Sequence, residues 1–122
     1  MSVSPGFRDF VLEQLARVTP GVTGRAMFGG LGIYAQERIF ALVDDDVLYL
    51  KVDDSNRGDF EAAGMGPFRP FGPEGEVMQY WQLPEGILDD AEALEPWVAK
   101  AVAVAQRSRR RKPGSGRARG GA

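Results

Sequence analysis

The stretch IFALVDDDVLYLKV, residues 39–52, decides the fold. Two apolar runs of strand length lie on either side of three aspartates, and both faces of the first run are apolar. A spacer this short joins neighbouring strands of an antiparallel sheet, because a parallel connection requires a much longer crossover. The sequence therefore predicts an antiparallel meander, with the first of these two strands near the centre of the sheet.

The residues before this stretch extend the meander and add a helix. AMFGGLGIYA, residues 26–35, has strand character and is separated from the next strand by the polar residues QER, so we predict one further strand there. Ser4 and Pro5 suit the cap and first residue of a helix, and apolar residues then recur at helical spacing as far as Val18. A helix over 5–18 is therefore predicted.

The residues after the meander predict one short helix and two strands. DDSNRGDFEAAG, residues 53–64, is typical of a helix capped by Asp53 or Asp54 and ended by glycine. PFRPF, residues 67–71, predicts an edge strand because its second proline has no amide hydrogen to donate. VMQYWQL, residues 77–83, predicts another strand.

A last helix completes the predicted fold. Pro96 is favourable as the first residue of a helix, and an apolar stripe continues from it to about Arg107. The predicted order is α-β-β-β-α-β-β-α. This is an α+β fold, a two-layer α/β sandwich with the helices packed on an antiparallel sheet. We expect residues 1–106 to form one domain and residues 107–122 to be a disordered basic tail.

The glycine-rich residues 27–32 are predicted to be structural. GLGIYA, from residue 30, formally matches the G-x-G-x-x-G/A dinucleotide fingerprint, but no helical stripe follows to hold a pyrophosphate. Glycines within a strand allow a bulge, a bend or the close approach of a neighbouring chain. We therefore predict no cofactor, and assign a structural motif to Met27, Phe28, Gly29, Gly30 and Gly32.

Composition narrows the classes of function. The chain has neither histidine nor cysteine, which removes the commonest general base, the commonest metal ligands and thiolate chemistry. The aspartates at 44–46 and 53–54 are interpreted as turn and cap residues, so no catalytic residue and no metal site is predicted. No apolar run approaches the length of a membrane helix, and a chain without cysteine is expected in the cytoplasm.

Three side chains of the predicted domain are candidates for contacts. Arg25, just before the glycines, is predicted to pair with an acidic neighbour, with anion binding as the alternative. Tyr80 and Trp81 are adjacent, so one should face the core and the other the opposite side of the sheet. The outward ring either contributes to a homodimer interface or is covered by a helix.

Charge divides the chain into two parts. Residues 1–106 carry 17 acidic and 8 basic side chains, a balance of −9, whereas residues 107–122 carry seven basic ones and no acid. Such a tail can bind nucleic acid weakly and without sequence preference, or it can keep the protein soluble or fold back on the acidic domain. The basic side chains are Arg107, Arg109, Arg110, Arg111, Lys112, Arg117 and Arg119.

Two longer stretches resemble the N-terminal domain of the TfoX/Sxy family, named for regulators of natural competence. RAMFGGLGIYAQERIFALVDDDVLYLKVDDSNRGDFEAAGMGPF, residues 25–68, is similar to the family pattern R-x-M-F-G-G-x-G-I-Y, a short turn, then F-A-L-[IV]-x-x-D-x-L-Y-L-K and later D-F-E-A. MQYWQLPEGILDDAEALEPWVAKA, residues 78–101, is similar to the later segment M-x-Y-[YW]-x-[VL]-P-E-x-x-L-x-D-x-x-x-L-x-x-W.

The resemblance implies the same two-layer fold and brings no established catalytic residues. The competence regulators carry a second domain where this chain has its basic tail, so we expect a single-domain member. The leading interpretation is a non-enzymatic regulatory or adaptor module that acts on a protein partner, whose identity the sequence does not give. The alternative is a nucleic-acid-associated protein, and an enzyme is the third.

Overall fold

The helices and the antiparallel sheet confirm the predicted α+β fold class, with four strands instead of three before the second helix. A computed structural model describes residues 3–27, 29–68 and 79–111, the last four of these by their backbone alone. One antiparallel sheet is combined with three helices, an α+β arrangement. The elements are α1 (Pro5–Val18), β1 (Val22–Met27), β2 (Gly30–Ala35), β3 (Arg38–Asp44), β4 (Val47–Lys51), α2 (Arg57–Ala62), β5 (Tyr80–Gln82) and α3 (Ala91–Arg111).

Tight turns connect the first four strands of the sheet. The five strands lie in chain order, each antiparallel to its neighbour, with β3 at the centre. Gln36 and Glu37 both have positive φ, and so do Asp45 and Asp46. Two consecutive residues of this kind form hairpin turns whose twist matches that of the flanking strands. The three aspartates that separate the runs of residues 39–52 therefore end β3 and form its turn into β4.

Residues 22–35 form two strands where the sequence predicts one. The chain reverses between β1 and β2, and Gly29, with φ of +81°, adopts the left-handed conformation that glycine tolerates best. The reversal was missed because apolar residues continue through it, so no polar spacer marks the turn. In β2, a methyl group at Gly30 would overlap the backbone carbonyl oxygen of Val43 in β3. The two strands can approach this closely only because residue 30 has no side chain.

The last helix begins before Pro96 and not at it. The Asp90 carboxylate accepts hydrogen bonds from the amides of Glu92 at 3.0 Å and Ala93 at 3.3 Å, which caps α3 at residue 91. Pro96 therefore lies inside the helix, where it removes one backbone hydrogen bond. Leu94 is fully buried, and its packing favours a helix that has already begun before the proline.

Two shorter elements also differ from their predictions. Asn56, and neither aspartate, is the N-cap of α2, and its buried side chain accepts from the Asp53 amide and donates to the Lys51 carbonyl oxygen. Pro67 makes a single antiparallel bridge to Trp81. Phe68 is also described, and its amide donates to the Tyr80 carbonyl oxygen at 2.7 Å. Residues 69–71 of the predicted edge strand and the first two residues of the strand predicted at 77–83 lie outside the described residues.

The core lies between the helices and one face of the sheet. Val11 and Leu15 of α1 pack with Leu94 and Val98 of α3. Phe60 of α2 completes it, with its ring centroid 4.9 Å from that of Trp97 and 6.2 Å from that of Trp81. The sheet contributes alternate residues to this core, and also Phe40, the extra residue of β3 at a bulge between its pairs with Ile33 and Tyr34. The alternate residues are Leu31, Ile33, Ala35, Ala41, Val43, Leu48 and Leu50.

The other face of the sheet carries no helix among the residues that the structure describes. Strand pairing places Arg25 opposite Gly32, Gly32 opposite Leu42, and Leu42 opposite Tyr49. None of these side chains belongs to the core cluster. We call this surface the helix-free face, and its principal residues are Thr23, Arg25, Met27, Gly32, Tyr34, Ile39, Leu42, Tyr49, Lys51, Tyr80 and Gln82.

Replacing Gly30 with alanine should destabilise the domain, because the Val43 oxygen belongs to the backbone and cannot move alone. Overpacking of this kind costs about 1–3 kcal/mol. Gly58 in α2 is the matched control: a methyl group there has no neighbour within 4 Å, so Gly58→Ala should be neutral or stabilise by up to about 1 kcal/mol. Urea unfolding measures both variants, and equal midpoints would contradict the close approach at Gly30.

Tyr80 should make the folded domain sensitive to alkaline pH. Burial, with a smaller contribution from the Tyr34 phenolate, raises the pKa of Tyr80 to about 12. Below pH 10 the ring is neutral in both folded and unfolded chains; above it the unfolded chain ionises first, so stability falls as pH rises towards 12. Tyr80→Phe should reduce this loss by about 2–3 kcal/mol in urea unfolding, and an unchanged pH profile would contradict the assignment.

Candidate interaction surface

The β1–β2 hairpin, which contains the glycine-rich residues 27–32 and which we call the glycine hairpin, contributes to a small apolar patch on the helix-free face. The Met27 side chain lies over Gly32, so close that a methyl group at Gly32 would overlap the Met27 sulfur. The same methyl group would lie 3.2 Å from Cδ1 of Ile39 and 3.4 Å from Cε1 of Tyr34. The absent side chain at residue 32 therefore makes room for three large neighbours. We call Met27, Tyr34 and Ile39 the hairpin patch.

Arg25 lies against this patch and does not form the predicted ion pair. Its guanidinium carbon is 4.7 Å from the centroid of the Tyr34 ring, a cation–π contact between diagonal neighbours on β1 and β2. None of the ion pairs among the described residues includes Arg25. The prediction was wrong because the positions beside Arg25 on β2 are Gly32 and Tyr34, neither of which is acidic.

The opposite half of the face repeats the combination of rings and cations. Lys51 Nζ is 5.2 Å from the ring centroid of its cross-strand partner Tyr80. The rings of Tyr49 and Phe68 are 4.6 Å apart. Burial, followed by the charges of Asp44 and Asp45, raises the pKa of Tyr49 above that of an ordinary tyrosine.

Tyr80 and Trp81 point to opposite sides of the sheet, as the sequence predicts. Trp81 packs against the core, whereas Tyr80 lies on the helix-free face with only 7% of its surface exposed. Tyr80 therefore contributes to the shape of the face more than to its accessible area. Arg25, which is exposed on β1, gives the same face an accessible positive charge.

A polar cleft lies at the other end of the domain. Its volume is about 440 Å³, and it is lined by Asp53, Asp54, Ser55, Arg57, Gln79 and Arg107. One Nη atom of Arg107 lies 3.0 Å from Oδ2 of Asp53 and 2.7 Å from Oγ of Ser55. Arg57 pairs with Asp54 at 2.6 Å. Each cation in the cleft therefore already has a carboxylate.

Asp53 holds the end of α3 through this cleft. Burial alone would raise the pKa of its carboxyl group, but hydrogen bonds from the hydroxyl and amide of Ser55 and from Arg107 outweigh it and lower the pKa. Beside it, Gln106 bonds to Gln36 and Arg38 at the turn between β2 and β3. The sequence offered no signal for these contacts, because the partners are 52 to 70 residues apart.

The basic residues predicted for the tail have different positions. Arg107 lies in α3 with its side chain on Asp53, and the backbone of Arg109, Arg110 and Arg111 continues the same helix. Lys112, Arg117 and Arg119 lie outside the described residues, as does Phe28 of the glycine motif. No three acidic, histidine or cysteine side chains in the described part of the chain are grouped so as to hold a metal ion. No helix described is long and apolar enough to span a membrane.

The chain matches a known protein family. The family model of the TfoX N-terminal domain aligns with residues 13–105, which include the second half of α1 from Glu13, the whole described sheet, α2 and α3 as far as Ala105. No curated protein sequence matches the chain significantly. The match extends over more than half of the chain and agrees with the motifs of the glycine hairpin. The chain belongs to the TfoX N-terminal domain family.

Proposed function

We propose that the domain is a non-enzymatic regulatory or adaptor module, and that the helix-free face is the surface through which it contacts a protein partner. The observation that carries the proposal is the position of the family-pattern residues. Eight residues that match the family pattern lie on the face of the sheet that is directed away from the core. On the helix-free face lie Arg25, Met27, Gly32, Tyr34, Leu42, Tyr49, Lys51 and Tyr80.

The chemistry of this face suits a protein interface. Aromatic side chains, methionine and arginine are enriched at interfaces. Here Arg25 lies over the Tyr34 ring, and Met27 and Tyr34 both border Gly32. The rings are held in place by neighbouring strands, so little conformational entropy would be lost on binding. Tyr34 is the best candidate for the energetic centre because it contacts Arg25 and borders Gly32.

The polar cleft supports the non-enzymatic part of the proposal. Its carboxylates and guanidinium groups are paired with one another, an arrangement that stabilises structure more directly than it activates a substrate. The chain offers no imidazole or thiol to complement them. We place the module in the cytoplasm, where chains without cysteine are common.

Affinity capture from the cells of origin tests the proposal when wild-type protein is compared with Tyr34→Ala. The variant should recover about tenfold less of any specific partner, since loss of a central aromatic side chain costs about 1–2 kcal/mol or more. Phe10→Ala is the matched control, because Phe10 is an exposed aromatic residue of α1, on the opposite side of the sheet.

Urea unfolding must first show that both variants are folded. Recovery that is equal for Tyr34→Ala and wild type, or that is lost with Phe10→Ala, would contradict a partner site on the helix-free face.

A second candidate function is weak nucleic-acid binding through the basic C-terminal residues. The observation that favours it is the charge division, with three consecutive arginines at the end of α3 and the acidic domain before them. Arg107 is engaged by Asp53, so the remaining basic side chains can neutralise about four to six phosphates. The slope of log K against log salt should therefore be roughly −4 to −5. This proposal includes the division of the chain into a domain, residues 1–106, and a basic segment, residues 107–122.

A salt titration of DNA binding separates this candidate from the first. Replacing Arg109, Arg110, Arg111 and Lys112 together with serine should remove most of the slope. Arg107→Ser is the control within the same segment and should change the slope little, because Asp53 already neutralises that charge. Tight binding that survives the fourfold replacement would place the nucleic-acid site on the folded domain.

A further inference from the structure

We propose that β1 is a docking edge for an extended segment of a partner protein, and that Arg25 selects a segment with an acidic side chain. The inference rests on the proposed function and specifies the chemistry of the partner. It joins two observations on the same strand: an edge without a neighbouring strand, and a cation without a carboxylate.

The first observation is the pairing of β1 on one side only. β1 is the first strand of the sheet and pairs with β2 along its whole length, from Val22 to Met27. No described element pairs with its other side. Such an edge presents a row of amide and carbonyl groups to which an extended chain can add as a sixth strand. The strand contains no proline and has six residues, enough for several backbone hydrogen bonds.

The second observation is the electrostatic position of Arg25. It is an exposed cation at the middle of β1, in a domain whose overall charge is strongly negative, and none of the ion pairs described includes it. Its contact with the Tyr34 ring restricts the guanidinium to the helix-free face. A carboxylate at the opposing position of an added strand would point to the same face and meet it there.

The residues beside Arg25 on the helix-free face predict a second feature of the partner segment. Residues two apart on a strand share a face, so the residue two positions from the acid would lie beside Met27 or Thr23. Met27 is part of the hairpin patch and favours an apolar neighbour. The expected segment therefore has an acidic residue and, two positions away on one side, an apolar residue.

A second copy of this chain fits the edge poorly. Antiparallel pairing of β1 with itself, with like faces matched, centres on Gly24 or on Arg25. The first register brings the two Arg25 side chains to diagonal positions, and the second places them directly opposite each other, where like charges are destabilising. β1 has no acidic residue that could relieve this repulsion. We therefore commit to a different, acidic chain as the occupant.

Selection from a displayed library of random ten-residue peptides tests this inference on the full chain. Peptides enriched on wild-type protein should carry aspartate or glutamate with an apolar residue two positions away, and their affinity should fall as salt is raised. Binding of the best peptide should shift the amide signals of β1 and β2. Arg25→Glu should weaken it about tenfold, and Arg25→Lys should weaken it less because the positive charge remains.

Arg8→Glu is the matched control, since it makes the same charge change at an exposed arginine of α1 and should leave the affinity unchanged. Four results would overturn the inference: no enriched peptide, enriched peptides without an acidic residue, amide shifts confined to other strands, or equal effects of Arg25→Glu and Arg8→Glu.

The outcome is distinguishable from failure of the proposed function. If Tyr34→Ala reduces capture of the cellular partner while Arg25→Glu does not, the helix-free face is an interface and the edge inference is wrong. If neither variant changes capture, the proposed function is itself wrong.

Discussion

The missing side chains of β2 are the constraint on which the rest of the sheet depends. At Gly30 the β3 backbone comes so close that a methyl group would overlap the Val43 carbonyl oxygen, and at Gly32 the Met27 sulfur occupies the space of a side chain. β2 therefore packs closely against β3 on one side and makes room for the Met27 side chain of β1 on the other. Close packing against β3 and against Met27 accounts for both glycines.

The same strand specifies two surfaces at once. Leu31 and Ile33 are buried in the core, whereas the residues that alternate with them, Gly32 and Tyr34, lie on the helix-free face. Because successive side chains of a strand point in opposite directions, a sequence that fixes one face leaves the other free for another purpose. Here the second face carries Tyr34 with Arg25 against its ring, a contact that contributes nothing to the hydrophobic core.

Local signals predicted much of the fold, and non-local packing accounts for what they missed. The bounds of α1 follow from its Ser4 cap and helical spacing, and the β3–β4 hairpin follows from a short polar turn. The β1–β2 turn was missed because its residues are apolar. The predicted start of α3 lies five residues too late, because burial of Leu94 outweighs the hydrogen bond lost at Pro96. No pattern in the sequence relates Arg107 to Asp53, which are 54 residues apart.

Whether the proposed protein site at β1 and the proposed nucleic-acid site at the end of α3 compete depends on where they lie in the fold. The helices pack on one face of the sheet, and α3, which leads into the basic residues, lies on that side with Arg107 fixed to Asp53. The hairpin patch and Arg25 lie on the other side. A polyanion held by the end of α3 therefore need not displace a chain added at β1. The proposed protein contact and the proposed nucleic-acid binding are thus compatible in one molecule, because the sheet lies between Arg25 at its edge and the arginines at the end of α3.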